Sequence, residues 1–220
     1  MKLAAFATAA FLALVSWAGT QASFAAGGRN LTTVNGDVKA SAGETYDTLS
    51  AVNGAVLVSR GATVDTVRTV NGEVTVESES KVGNASTVNG EIEIAGNATV
   101  SGNASTVNGS VKIAQRTQVG GDVSTVSGEI ELAGAEVAGV VSTVNGDIDL
   151  SDGAHVRGGI VVKKPNSDNW MKKDHEDPVK VHICGTCVVD GDLRFERAAE
   201  LRVDSGARIG KVIGDNVKRL

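Results

Sequence analysis

Residues 87–94, T-V-N-G-E-I-E-I, indicate the fold of this chain, because close copies of them recur at a nearly constant interval. The tetrapeptide T-V-N-G, or a near copy of it, ends at seven glycines spaced 18 or 19 residues apart: Gly36, Gly54, Gly72, Gly90, Gly109, Gly128 and Gly146. A fixed period of this length is typical of stacked repeat proteins, in which a repeat buries its apolar face only against its neighbours.

Apolar residues stand at fixed positions within each repeat and predict three short strands per turn. Counted from the valine before each Asn-Gly, they lie at positions 0, +4, +6 and +12, which are Val88, Ile92, Ile94 and Val100 in the fourth repeat. The alternation at +4 and +6 is the two-residue period of a strand. We expect the position-0 valines to face the core: Val34, Val52, Val70, Val88, Val107, Val126 and Val144.

The predicted fold is therefore all-β: a single-stranded parallel β-solenoid, or triangular β-helix, with about 18–19 residues per coil. We expect roughly 8–9 coils, stacked about 4.8 Å apart, and the spacing fits a helix of either hand. A narrow interior filled by Val and Ile agrees with the composition, because aromatic residues make up only 3% of the chain.

Stacked coils would bring the corner residues into columns along the solenoid. Both Asn and Gly tolerate the positive φ that a sharp corner needs, and stacked side-chain amides can hydrogen-bond from coil to coil. The asparagine column, interrupted by Ser127, holds Asn35, Asn53, Asn71, Asn89, Asn108 and Asn145. A threonine column precedes it at Thr33, Thr69, Thr87, Thr106, Thr125 and Thr143. We interpret both columns as structural; the alternative is a Thr-x-Asn face that binds a glycan or ice.

The N-terminus has the pattern of a secretory signal. Lys2 precedes an apolar run from Leu3 to Trp17, and a stretch of small residues follows. Cleavage after Ala25 fits best and assigns residues 1–25 to a signal peptide; an uncleaved anchor helix is the alternative. We expect an exported protein in the periplasm or on the cell surface of a bacterium, with no transmembrane segment after signal removal. A formal net charge of −5 also argues against nucleic acid as a partner.

The regular repeat fades near Val162 and divides the rest of the chain. We predict a regular solenoid over residues 26–162, a polar loop insertion over residues 163–178, and final irregular coils with a C-terminal cap over residues 179–220. Trp170, in the loop, is a candidate surface contact with a sugar or a protein. Phe195 is expected to plug the end of the solenoid.

Two cysteines stand close together near the C-terminus. Behind a secretory signal, Cys184 and Cys187 are expected to form a disulfide. The alternatives are a zinc site completed by His175 and His182, whose spacing is not that of a standard structural site, and free or redox-active thiols. We expect no cofactor.

Acidic residues are densest late in the repeat region, at Glu129, Glu131, Asp147, Asp149 and Asp152. A solvated charged face is the expected role, and calcium is the alternative, although Asp152 stands where an EF-hand loop has its glycine. No nucleophile elbow, phosphate loop or catalytic carboxylate pair can be argued from the sequence. We therefore expect a protein that is not an enzyme, with a polysaccharide-active enzyme as the alternative.

At T-V-N-G-E-I-E-I (residues 87–94) and T-V-N-G-D-I-D-L (residues 143–150), the chain resembles the bacterial adhesin β-strand repeat family. The resemblance covers about residues 31–162 and implies a secreted or envelope β-solenoid that contacts envelope or surface components. The repeated valines also resemble bactofilins, which are polymer-forming and would imply end-to-end contact with further copies. Bactofilins are typically cytosolic, so the signal-like N-terminus departs from them. Neither resemblance implies catalytic residues.

Overall fold

The computed structural model describes residues 29–165 and 177–220. Within these residues the secondary structure consists of strands, and no helix is present. Each strand pairs in parallel with the equivalent strand of a neighbouring turn, as β-solenoids require; for example, Ile92 pairs with both Val74 and Val111. The predicted all-β parallel solenoid of about 18 residues per turn is confirmed.

One face of the solenoid is a sheet of ten strands, one from each turn. We call it the first face and number the turns by its strands: β2 (Val38–Ala40), β4 (Val56–Val58), β6 (Val74–Val76), β8 (Ile92–Ile94), β11 (Val111–Ile113), β14 (Ile130–Ala133), β17 (Ile148–Ser151), β20 (Val179–Ile183), β23 (Ala199–Val203) and β26 (Val217–Arg219). The solenoid thus has about ten turns, somewhat more than the predicted number.

The other two faces belong to a single sheet of 16 strands. Four long strands run along it in the early turns: β1 (Arg29–Asn35), β3 (Thr45–Asn53), β5 (Thr63–Arg68) and β7 (Lys81–Ser86). Beyond β7 the sheet divides. The second face continues through β9 (Thr99–Val100), β12 (Gln118–Val119), β15 (Glu136–Val137), β18 (His155–Val156), β21 (Val188–Val189) and β24 (Arg208–Ile209). The third face continues through β10 (Ala104–Ser105), β13 (Val123–Ser124), β16 (Val141–Thr143), β19 (Ile160–Val162), β22 (Leu193–Phe195) and β25 (Val212–Ile213).

The core is a column of small and branched side chains between the three faces. Positions +4, +6 and +12 face inward as predicted, and Ile92, Ile94 and Val100 are fully buried in the fourth turn. The buried aromatic residues of the described chain are Tyr46 and Phe195. Because successive turns lie only about 4.8 Å apart, aliphatic side chains of this size fill the section without gaps.

The expectation that the position-0 valines face the core is wrong. Val34 is 49% exposed and Val126 is 37% exposed, whereas the preceding threonine is buried, with Thr125 only 4% exposed. On the third face, Val123 and Thr125 point inward, so strand alternation directs Val126 outward. The sequence pattern misled because Thr and Val are both β-branched, and their spacing does not say which of the two lies inside.

Residues 179–220 continue the same parallel ladders beyond the predicted loop. β17 pairs with β20 in the first face, and β19 pairs with β22 in the third, so the turns on either side of residues 163–178 stack directly. Phe195 is not an end plug: it lies in the eighth turn, where β22 also pairs with β25 of the ninth. The chain around residues 193–201 forms strands β22 and β23.

Candidate functional site

The asparagine column forms a hydrogen-bonded ladder along one corner. Each amide donates through Nδ2 to the Oδ1 of the preceding asparagine, at 3.0 Å from Asn53 to Asn35 and at 2.8 to 2.9 Å for Asn71, Asn89 and Asn108. Ser127 interrupts the ladder, and Asn145 instead accepts a bond from Arg197. The predicted column is present, and its amides from Asn35 to Asn108 bond from turn to turn.

From the second turn onward, the glycine of each corner in this column is required by close contact with the preceding turn. An ideal Cβ placed at Gly90 would lie 1.9 Å from the carbonyl oxygen of Gly72, and the equivalent distance at Gly54 is 2.0 Å. The predicted reason, positive φ, holds at Gly36, Gly109 and Gly128 but not at every corner. The backbones therefore approach too closely for any side chain at this position.

The threonine column bonds to the same corners from inside. Thr69, Thr87, Thr106 and Thr125 donate through Oγ1 to the carbonyl oxygen of the corner glycine of the preceding turn, at 2.9 to 3.0 Å. Each of these threonines is buried. The alternative of a Thr-x-Asn face therefore loses its hydroxyl groups, which are turned away from any ligand.

A second column of polar side chains, which was not predicted from the sequence, lies at the corner between the second and third faces. Asn84 accepts a bond at Oδ1 from the backbone N–H of Asn103, and Asn103 accepts one from Asp122. Asp122 in turn accepts a bond from the N–H of Val140 at 2.8 Å. The repeated N-A-S of residues 84–86 and 103–105 was the available signal. These side chains satisfy backbone donors that the corner leaves unpaired.

A cleft of about 940 Å³ lies where the Asn-Gly corner gives way to the segment before β20. Its charged lining combines acidic and basic groups: Glu129, Asp147, Asp177, Lys180, Arg197 and Glu200. Arg197 donates to the carbonyl oxygen of Val144 at 2.9 Å, and Asp147 accepts a bond from the N–H of Lys180 at 2.8 Å. The cleft can thus both donate and accept hydrogen bonds to a polar ligand.

The five acidic residues of the calcium alternative are dispersed over different contacts. Glu129 and Asp147 line the cleft, Asp149 contacts His182, and Asp152 accepts a bond from Gln115. Burial raises the pKa of Glu129, and the carboxylates of Glu131, Asp147 and Asp149 raise it further. In the described part of the chain, no three His, Cys, Asp or Glu residues come together in a way that could hold a metal ion.

His182 stands between two carboxylates on the first face. Its Nδ1 lies 2.6 Å from Oδ1 of Asp149 and its Nε2 lies 3.1 Å from Oδ2 of Asp204. These contacts, with Asp204 the stronger, raise the pKa of His182, and the same bond lowers the pKa of Asp204. His182 was predicted only as an alternative zinc ligand. Its two aspartate partners lie in neighbouring turns, 33 and 22 residues away along the chain.

The cysteine pair lies at the corner between β20 and β21. Cys184 and Cys187 are at disulfide distance, with Cα atoms 5.2 Å apart. Bonded sulfurs leave no thiolate for the zinc alternative. Trp170 and His175, predicted respectively as a surface contact and as an alternative ligand, lie outside the described residues.

Comparisons with family models, curated proteins and solved structures find no match to the chain. In the part of the chain that the structure describes, there is no helix with the length and apolar character needed to span a membrane.

Proposed function

We propose that this protein is exported and serves as a non-enzymatic structural element of the bacterial envelope or cell surface, of the adhesin type. The observation that carries the proposal is the use of the polar corner residues. The Asn ladder, the buried Thr hydroxyls and the Asn84–Asn103–Asp122 column all bond one turn to the next. Such a chain specifies a stiff rod, about 43 Å long for ten turns at the strand spacing, with flat faces for a partner.

Two further features support export. The apolar run from Leu3 to Trp17 has the pattern of a secretory signal, and it lies outside the described residues. The cysteine pair at disulfide distance suits an oxidising compartment. Envelope or surface components are the partners we propose on this basis.

Cell fractionation of the full chain with a C-terminal epitope tag tests the proposal. We expect a shortened, processed form in the envelope or on the cell surface, and protease added to intact cells distinguishes these two locations. The control is Leu14→Arg, which places a charge in the apolar run and should leave the chain unprocessed in the cytosol. Wild-type protein that stays unprocessed in the cytosol would contradict the proposal.

A self-assembling polymer subunit is the second candidate, because the terminal strands carry unpaired edges. In the described chain, β24, β25 and β26 each pair on one side only, and β1 and β2 do so at the other end. Parallel edges of this kind can template further strands. Against stacking, Arg219 pairs with the buried Leu201 and lies, itself exposed, at the open end of that column. Another turn would bury this charge, which opposes its addition.

Negative-stain microscopy of the processed protein without reductant separates the two candidates. Filaments that lengthen with concentration would favour the polymer, whereas single short rods would favour the monomeric structural element. The lack of enzymatic activity remains a prediction. Screens against polysaccharides check it, and any activity found should be compared with Glu129→Gln and Asp147→Asn, which alter the cleft.

A further inference from the structure

The junction between the seventh and eighth turns differs from the others in its connection. Residues 163–178 join β19 to β20 there, in place of a tight Asn-Gly corner. Asp177 and Pro178 precede β20, so the asparagine ladder has no amide at this step. Local opening free energies vary along such stacks, and a junction without the ladder bond is a candidate for opening.

On two outer faces of this junction, a histidine of one turn contacts an aspartate of the other. On the first face, His182 of the eighth turn contacts Asp149 of the seventh at 2.6 Å. On the second face, His155 of the seventh turn contacts Asp190 of the eighth at 2.6 Å. His182 also contacts Asp204 of the ninth turn, at 3.1 Å. Away from the eighth turn the cation is arginine or lysine, in Arg60–Glu79, Lys112–Glu91, Arg157–Glu136 and Lys218–Glu200.

The surroundings of His182 are charged on both sides. On one side of His182, strand β17 carries Asp149, and Asp147 directly precedes that strand. On the other side, β23 carries Glu200 and Arg202, and Asp204 directly follows it. Lys180 lies on the same strand as His182. Arg202 donates to the other oxygen of Asp204 at 3.1 Å. Both ring nitrogens of His182 therefore face carboxylate oxygens, and only the protonated ring can donate to both.

We propose that a proton on His182 controls the junction between the seventh and eighth turns, which we call the seam. The protonated ring holds the last three turns against the first seven, and loss of the proton lets the eighth turn open from the seventh. The neutral ring can donate to only one of its two carboxylates and leaves the other facing a lone pair. Arg197 donates across the seam to Val144 and Asn145, so the corner that these bonds hold should stay closed.

The direction of the effect follows from linkage. The pKa of His182 is raised in the folded protein, first by Asp204 and then by Asp149. Its contribution is complete below the ordinary histidine value of about 6.5, and it is lost as the pH rises through the raised value. The seam should therefore be tightest in mildly acidic solution and loosest in mildly alkaline solution.

Hydrogen exchange read by mass spectrometry tests the seam on the purified full-length or processed chain. Protection of β20 and β23 is compared with that of β6 and β8 between pH 5.5 and 8.5, after correction for intrinsic exchange. We expect protection of β20 and β23 to fall about three- to tenfold relative to β6 and β8 as the pH rises, the ratio given by exchanging a charge-assisted hydrogen bond for a neutral one. His182→Gln, which stays neutral but can still donate, should show the low protection at both pH values.

Two control variants isolate the seam. His175→Gln removes a histidine outside the described residues, and Lys112→Gln removes a cation from the same outward column of the first face; both should keep the wild-type pH response. Equal pH dependence in wild type and His182→Gln would overturn the proposal, as would uniform loss of protection in all turns. If His182→Gln does not fold, Asp149→Asn serves instead and should reduce the pH response. The proposal does not rest on export, so its failure leaves the fractionation result untouched.

Discussion

Replacing Gly90 with alanine tests whether contact between corners, and not backbone conformation, requires glycine. The added Cβ would lie 1.9 Å from the carbonyl oxygen of Gly72. A carbon and an oxygen in contact stay about 3.3 Å apart, so the two turns must separate locally by roughly 1.4 Å. Two backbone hydrogen bonds join these two turns at the corner: the N–H of Asn89 donates to Val70 O at 2.7 Å, and the N–H of Gly72 donates to Asn89 O at 3.1 Å.

The expected loss in the free energy of unfolding is about 3–5 kcal/mol. Two weakened backbone hydrogen bonds contribute about 1 kcal/mol each, and overpacking contributes about 1–3 kcal/mol. Gly36 offers a matched control, because it belongs to the same corner column in the first turn, and an ideal Cβ there meets nothing within 4 Å. Its φ of +116° leaves only a conformational cost of about 1–2 kcal/mol for Gly36→Ala.

Urea unfolding followed by far-ultraviolet circular dichroism measures both variants. The urea dependence of the unfolding free energy must match wild type for the values to be compared, because stacked repeats can unfold in parts. A Gly90→Ala variant that loses no more stability than Gly36→Ala would refute the contact argument.

Three further predictions concern the ladder, the cysteines and the acidic residues. Asn71→Ala removes two exposed amide bonds and should cost about 1–2 kcal/mol in urea unfolding, whereas Ser127→Asn, which extends the ladder, should cost nothing and gain up to about 1 kcal/mol. Replacing Cys184 and Cys187 together with alanine should lower the unfolding free energy by about 2 kcal/mol relative to the oxidised protein, the amount expected for a very short loop, and dithiothreitol should then have no effect on the variant. Glu129→Gln should stabilise the protein by a few tenths of a kcal/mol at pH 7, because neighbouring carboxylates and burial disfavour the charged form. The pKa of Glu129 is raised, so the gain should vanish below the ordinary glutamate value of about 4.3, where wild type is itself protonated; a gain that persists there would contradict the cause.

Part of the candidate site could be predicted from sequence. The Asn ladder followed from the period, because residues one repeat apart must stack when the turns do. The cleft could not be predicted, since it depends on how the segment before β20 meets the corner at Asn145 and on the reach of Arg197 across two turns. The partners of His182 could not be predicted for a similar reason. Residues 163–178 interrupt the repeat, so the 18-residue spacing no longer shows which residues align across them.

The repeat alone predicts the architecture, because an 18-residue apolar period can be buried only by stacking, and stacking requires parallel ladders with aligned corners. The tertiary structure adds which side of each corner faces the core. It placed Thr125 in the core and Val126 at the surface, two β-branched neighbours that a pattern of apolar residues treats alike. It also explains why residue 90 must be Gly90. The distance between two stacked backbones is set by the hydrogen bonds of the ladder and cannot be read from the residues of one turn.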